Sequence, residues 1–167
     1  EKKEAHNSVI LGSLRSNYTF EEFVSGPSNE FAYNACLACA DTPGVKTSNP
    51  LFIYGGVGLG KTHLINAIGH RLLKNYKKIR IGYASAEKFM NEYIASIRTS
   101  NIQGFKKRYR ENCDALLIDD IQFLEKKERT IEEFFHTFNE LYDNNKQIVV
   151  TSDRYPKDIH FLEDRLI

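Results

Sequence analysis

The run Gly55–Thr62, "GGVGLGKT", constrains this chain more than any other stretch. It matches G-x-x-x-x-G-K-[ST] in full. It follows a short apolar run, Leu51–Tyr54, and opens a segment, Lys61–Lys74, in which Leu64, Ile65, Ile68, Leu72 and Leu73 recur at helical spacing. Strand, glycine loop and helix in that order are the context in which such a loop cradles phosphate. The glycines let the backbone curl until its N–H groups converge, and the helix N-terminus adds partial positive charge. Lys61 then reaches the β- and γ-phosphates as a point charge, and the Thr62 hydroxyl can ligate Mg²⁺. Gly56, Val57, Gly58, Leu59, Gly60 and His63 complete the cradle. The bland alternative is a glycine-rich turn with no ligand, against which the acidic strand downstream argues. A dinucleotide fingerprint does not fit: Gly56, Gly58 and Gly60 give G-x-G-x-G, and His63 stands where the third glycine belongs.

That acidic strand is "DALLIDD", residues 114–120. Its unbroken apolar run suits a parallel sheet buried on both faces, with Asp119 and Asp120 emerging at the C-terminal edge, where open parallel sheets bind ligands. Asp119 is expected to hold Mg²⁺ through water and Asp120 to orient or deprotonate the attacking water; the alternative is two acids capping the next turn. The ligand on residues alone is a mononucleotide triphosphate. The chain lacks an [NT]-K-x-D base-reading signature, which favours ATP over GTP.

The rest of the chain supplies the frame. Strands are expected at Leu51–Tyr54 and in "KIRIGYAS", "DALLIDD" and "KQIVVTSD"; helices at Asn29–Asp41, Lys61–Lys74, "AEKFMNEYIASIR", "NIQGFKKRYREN" and Glu128–Asp143. Strands alternating with helices predict right-handed crossovers and an α/β three-layer sandwich, a parallel sheet flanked by helices. At 167 residues one domain is expected, over 18–167, with polar residues 1–17 as a linker or loosely docked arm. A formal net charge of +1 argues against a wholly basic nucleic-acid binder but leaves room for a local basic patch. Phenylalanine (11) and tyrosine (9) supply enough bulk to exclude disorder for most of the chain. No stretch approaches 18 apolar residues, so no spanning helix is expected, and Glu1–Ala5 lacks the apolar core of a secretory signal. The missing initiator Met and the stop at Ile167 suggest a piece of a longer protein. Cys36, Cys39 and Cys113 suit a reducing compartment; the C-x-x-C has no second pair to complete a zinc site and reads as buried helix cysteines. In "FKKRYR", Lys106–Arg110, a solvated basic face is expected, with DNA contact as the alternative.

"NYTFEEFVSGPSNEFAYNA", "NPLFIYGGVGLGKTHL", "DALLIDDIQFL", "EEFFHTFNELYDNNKQIVVTSDRYP" and "LEDRL" resemble the AAA+ ATPases and, within them, the DnaA family of bacterial replication initiators, over nearly all of residues 18–166. The resemblance implies a cytoplasmic ATP-binding protein that forms an ATP-dependent homo-oligomer on the chromosomal origin and opens the duplex, with the replicative helicase as a further partner. It implies that Val24 and Asn29 lie near the nucleotide base and Asp153 near the γ-phosphate. Residues 87–112 fit the family's inserted helix pair. The family's single-strand contacts carry over to Ile94, Lys127 and Arg129, and Arg165 is a candidate subunit contact; for the two cations the plain alternative is a solvated helix start. The family's lid and its origin-reading helix-turn-helix are not in this sequence, and a fifth strand is expected to be missing, so weaker nucleotide binding and poor hydrolysis are expected of this piece. A helicase loader of the same superfamily, which shares "GLGKTHL", is the second reading, and a plain ATPase the third.

Overall fold

A computed structural model describes residues 8–162. In chain order the elements are β1 (Ser8–Leu11), α1 (Glu30–Asp41), β2 (Leu51–Tyr54), α2 (Lys61–Asn75), β3 (Arg80–Ser85), α3 (Ala86–Arg98), α4 (Ile102–Lys106), β4 (Ala115–Asp119), α5 (Glu128–Asp143) and β5 (Gln147–Ser152). A π-helical turn, Lys107–Glu111, follows α4, and a 3₁₀ turn, Ile121–Leu124, follows β4. The strands form one sheet in the order β1-β3-β4-β5-β2, and every neighbouring pair is parallel.

The apolar runs follow from burial on both faces. In β4, Leu116 and Ile118 join the core under α3 and α5, while Ala115 and Leu117 join the core under α1 and α2. In β5, Ile148 and Val150 face the first of these and Val149 the second. This alternation at period two makes three layers. One core is aromatic, built on Phe89, Phe105, Tyr109, Phe134, Phe135 and Phe138; the other is aliphatic, built on Ile65, Ile68 and Leu72 of α2 with Cys36 and Cys39 of α1. All three cysteines are free, and burial pushes their thiols up to about 12, so they behave as core residues.

Three details depart from the sequence expectation. Residues 8–11, expected in the arm, form an edge strand on β3, so the sheet has five described strands despite the predicted loss of one. A four-residue strand set in polar sequence carries too little periodicity to be seen. The segment 101–112 is not one α-helix. Asn112 N donates to Lys107 O at 2.9 Å, five residues back, and this wider turn aims both Tyr109 and Arg110 inward. "FKKRYR" is therefore only partly a solvated face: Tyr109 is buried against Phe89 and bonds Glu92, and Arg110 pairs with Glu133 at 2.5 Å and Glu140 at 3.3 Å. Among the described residues no helix is long and apolar enough to cross a membrane.

Candidate nucleotide site and adjoining basic groove

The loop between β2 and α2 owes its shape to left-handed glycines. Gly58 has φ 80° and Gly60 φ 90°; a Cβ on Gly60 would also stand 2.9 Å from the Phe23 ring. Gly60 N-caps α2 and frees the following N–H groups to point out of the loop. The Lys61 ammonium lies over the loop, donating to Gly55 O and Gly56 O at 2.7 Å each. The Thr62 hydroxyl donates to Asp119 Oδ2 at 2.8 Å, joining the start of α2 to the end of β4.

Asp119 is 5% exposed. It also accepts from the Thr151 hydroxyl of β5 and, at 3.4 Å, from the Tyr83 hydroxyl of β3. Burial, then the Asp119 charge, raises the Tyr83 phenol above its ordinary value, so it stays a donor. Asp120 differs in every respect. It lies past the last β4–β5 pair, Ile118–Val150, at φ 60°, a left-handed conformation that aspartate tolerates better than most residues. Its N–H is tied to Thr151 Oγ1 at 2.8 Å and its side chain is exposed.

The loop, Thr62 and Asp120 open on one cavity of about 680 Å³, whose lining does not include Asp119. Val57, Gly58, Gly60, Lys61, Thr62, His63, Asp120 and Asp153 line it, as do Tyr18, Gln122 and Phe123, which the sequence reading did not single out. Tyr18 stacks on His63 with ring centroids 4.8 Å apart, and His63 Nε2 donates to Thr19 O at 2.6 Å, so α2 itself holds the incoming arm over the loop. Val24 and Asn29 are not in the lining. Val24 is 87% exposed, and the Asn29 side chain closes its own turn by accepting from Gly26 N at 2.7 Å and donating to Val24 O at 3.1 Å. Gly56 and Leu59 belong to the loop but not to the lining. The Asp153 carboxylate accepts from Arg154 Nε at 3.2 Å, and Arg154 Nη2 reaches Glu125 Oε2 at 2.9 Å.

The donor set suits a magnesium nucleotide. It has one hydroxyl and one buried carboxylate in contact, backbone N–H groups at a helix N-terminus, and no cluster of three acids or histidines among the described residues that could bind a metal alone.

Ile94, Lys127 and Arg129 meet in a second concavity of about 600 Å³ between α3 and the start of α5. Met90, Tyr93 and Ile97 supply an apolar floor beside them, and Lys126 and Arg98 add charge. Lys127 N-caps α5, and Ile94 is 37% exposed. Arg165 lies outside the described residues.

A parallel sheet with this loop before α2 and this acid pair at the end of β4 defines a P-loop nucleotide-binding ATPase domain. The family model of the bacterial DnaA ATPase domain matches residues 14–167, and the chain belongs to that family. It is 55% identical over 166 residues to the chromosomal replication initiator protein DnaA of Caldanaerobacter subterraneus subsp. tengcongensis, covering 99% of this chain and 37% of that protein. The DnaA of Citrifermentans bemidjiense is 59% identical over 157 residues, with 94% and 34% covered, so the chain spans about a third of the length of these relatives. Domain III of Thermotoga maritima DnaA superposes with a TM-score of 0.87 at 47% identity, over 91% of this chain and 65% of that one. A replication initiator DnaA bound to AMPPCP and single-stranded DNA superposes at 0.86 and 41% identity, over 93% of this chain and 47% of that one. The DnaC helicase loader, at 18% identity and a TM-score of 0.73, shares the fold alone.

Proposed function

We propose that this chain, with its core over 18–167, is the ATP-binding domain of a cytoplasmic chromosomal replication initiator. It binds ATP or ADP with Mg²⁺, assembles with copies of itself on origin DNA when ATP is bound, holds single strand in the α3–α5 groove as the duplex opens, and leaves the replicative helicase as a later partner. The observation that carries the nucleotide half is the hydrogen bond from Thr62, which lines the cavity beside Lys61, to the buried carboxylate of Asp119. Thr62 and, through water, Asp119 would hold the ion, which when bound would neutralise phosphate charge. Lys61 and the loop N–H groups bind and orient the phosphates. Asp120 orients the attacking water and takes its proton, Asp153 stands by the terminal phosphate, and Val24 and Asn29 lead the chain past the base. Arg165 contributes to the subunit contact.

The single-strand half is supported by the groove itself. An apolar side chain, Ile94, faces bases or sugars, and Lys127 and Arg129 hold successive phosphates. Few contacts per protomer make single-strand binding weak alone and strong when repeated along an assembly, with a steep salt dependence. Replacing Lys127 and Arg129 together with Ala in the intact protein should weaken ATP-dependent binding of a labelled oligonucleotide about tenfold or more and flatten the salt slope, with ATP affinity kept. Equal affinity and slope, read by fluorescence anisotropy at two salt concentrations, would make the two cations a solvated helix start.

A further inference from the structure

We propose that Gln122 is a positioning residue for hydrolysis: its side-chain amide bridges the Asp120 carboxylate and the backbone N–H of Asp153, fixing the water-orienting acid against the end of β5. This rests on the role given to Asp120 above. Gln122 Nε2 donates to Asp120 Oδ1 at 3.3 Å, and Asp153 N donates to Gln122 Oε1 at 3.3 Å. All three residues line the nucleotide cavity.

The need for such a bridge follows from where Asp120 sits. The β4–β5 ladder stops at Ile118 and the β3–β4 ladder at Asp119, so Asp120 is held by individual ties. Thr151 fixes the backbone of Asp120 through its N–H. Among the described residues, the hydrogen bond that reaches the Asp120 carboxylate comes from Gln122. A second tie, Glu125 to Arg154 to Asp153, clamps the same 3₁₀ turn to the end of β5 without touching Asp120. An amide suits the bridging place because one end donates and the other accepts. A carboxylate there would place a like charge beside Asp120, and a leucine would keep the bulk but lose both bonds.

The test compares Gln122→Leu, Gln122→Ala, Gln122→Glu, Asp120→Asn and the Gln122→Leu/Asp120→Asn double variant in the intact protein, by steady-state ATP turnover and by ADP affinity. Gln122→Leu should lower kcat about tenfold, the order of one lost orienting hydrogen bond, and keep ADP affinity within about twofold. Gln122→Glu should lower kcat at least as far. In the Asp120→Asn background, Gln122→Leu should change kcat by less than about twofold, because the group it positions has already been disabled. Unchanged turnover in Gln122→Leu beside reduced turnover in Asp120→Asn would overturn the inference, as would multiplicative losses in the double variant. Lost ADP affinity in both Gln122→Leu and Gln122→Ala would make Gln122 a binding or structural residue instead. Unchanged turnover in Asp120→Asn would remove the role of Asp120 itself, and the inference with it, by a separate measurement.

Discussion

Asp119 and Asp120 are adjacent and chemically identical, yet the fold separates their environments: one is buried among three hydroxyls, the other is turned outward by a left-handed backbone. A third acid, Asp114, serves stability. It accepts from Arg80 N at 2.9 Å, from Arg80 Nε and Nη2 at 3.0 Å each, and from Lys146 Nζ at 2.8 Å, binding the entries of β3, β4 and β5 together. Burial alone would raise its pKa, but the hydrogen bonds from Arg80 and Lys146 outweigh it and hold the carboxyl well below its ordinary 3.8. A folded-state pKa below the unfolded one gives stability that is complete above about pH 4 and is lost as pH falls through the folded value. Asp114→Asn should therefore cost about 1–2 kcal/mol at pH 7 in urea melts, and its deficit against the parent should shrink steadily below about pH 4. A deficit independent of pH would mean that the charge is not what matters. At this scale the phosphate loop and the acid pair were legible because their chemistry is local in sequence. Thr151, Tyr83 and Gln122 were not, because each acquires its role from a neighbour across the sheet or turn.

Among the elements, α3, the π-helical turn and α5 form the unit that carries the basic groove. Its joint is polar as well as aromatic: Tyr109 bonds Glu92 of α3, and Arg110 reaches Glu133, Thr137 and Glu140 of α5. Glu133 is 7% exposed, so losing its partner leaves a nearly buried charge unpaired. Arg110→Ala should destabilise the domain by about 3 kcal/mol in denaturant unfolding, with Arg110→Lys recovering only part because an ammonium cannot reproduce the guanidinium fork. A loss below about 0.5 kcal/mol would show the pair to be effectively solvated. The boundaries of α2, α3 and α5 were readable from apolar spacing within a residue or two. The π turn was not, since apolar spacing does not reveal the offset of the backbone hydrogen bonds, and the partner that makes Arg110 an inward residue lies on another helix.

At the scale of the whole molecule, parallel pairing gathers the working residues on one edge of the sheet. Thr62, Asp119, Asp120, Thr151 and Asp153 are placed by three different strands, β2, β4 and β5, yet all lie at strand C-terminal ends or the loops and helix that leave them. The strand–helix alternation made that architecture legible, with the exception of β1. The account stands on nucleotide binding at the glycine loop, and Lys61 is its most direct probe. Its ammonium touches only loop carbonyls among the described hydrogen bonds, so removing it should leave the fold intact. Isothermal titration calorimetry of ADP and ATP into the parent and Lys61→Ala, with thermal melts as the check on folding, should show a normally folded variant whose affinity has dropped about 10- to 100-fold, the loss expected for a charge-assisted contact to phosphate. A folded Lys61→Ala with unchanged ADP affinity would contradict the assignment of the site.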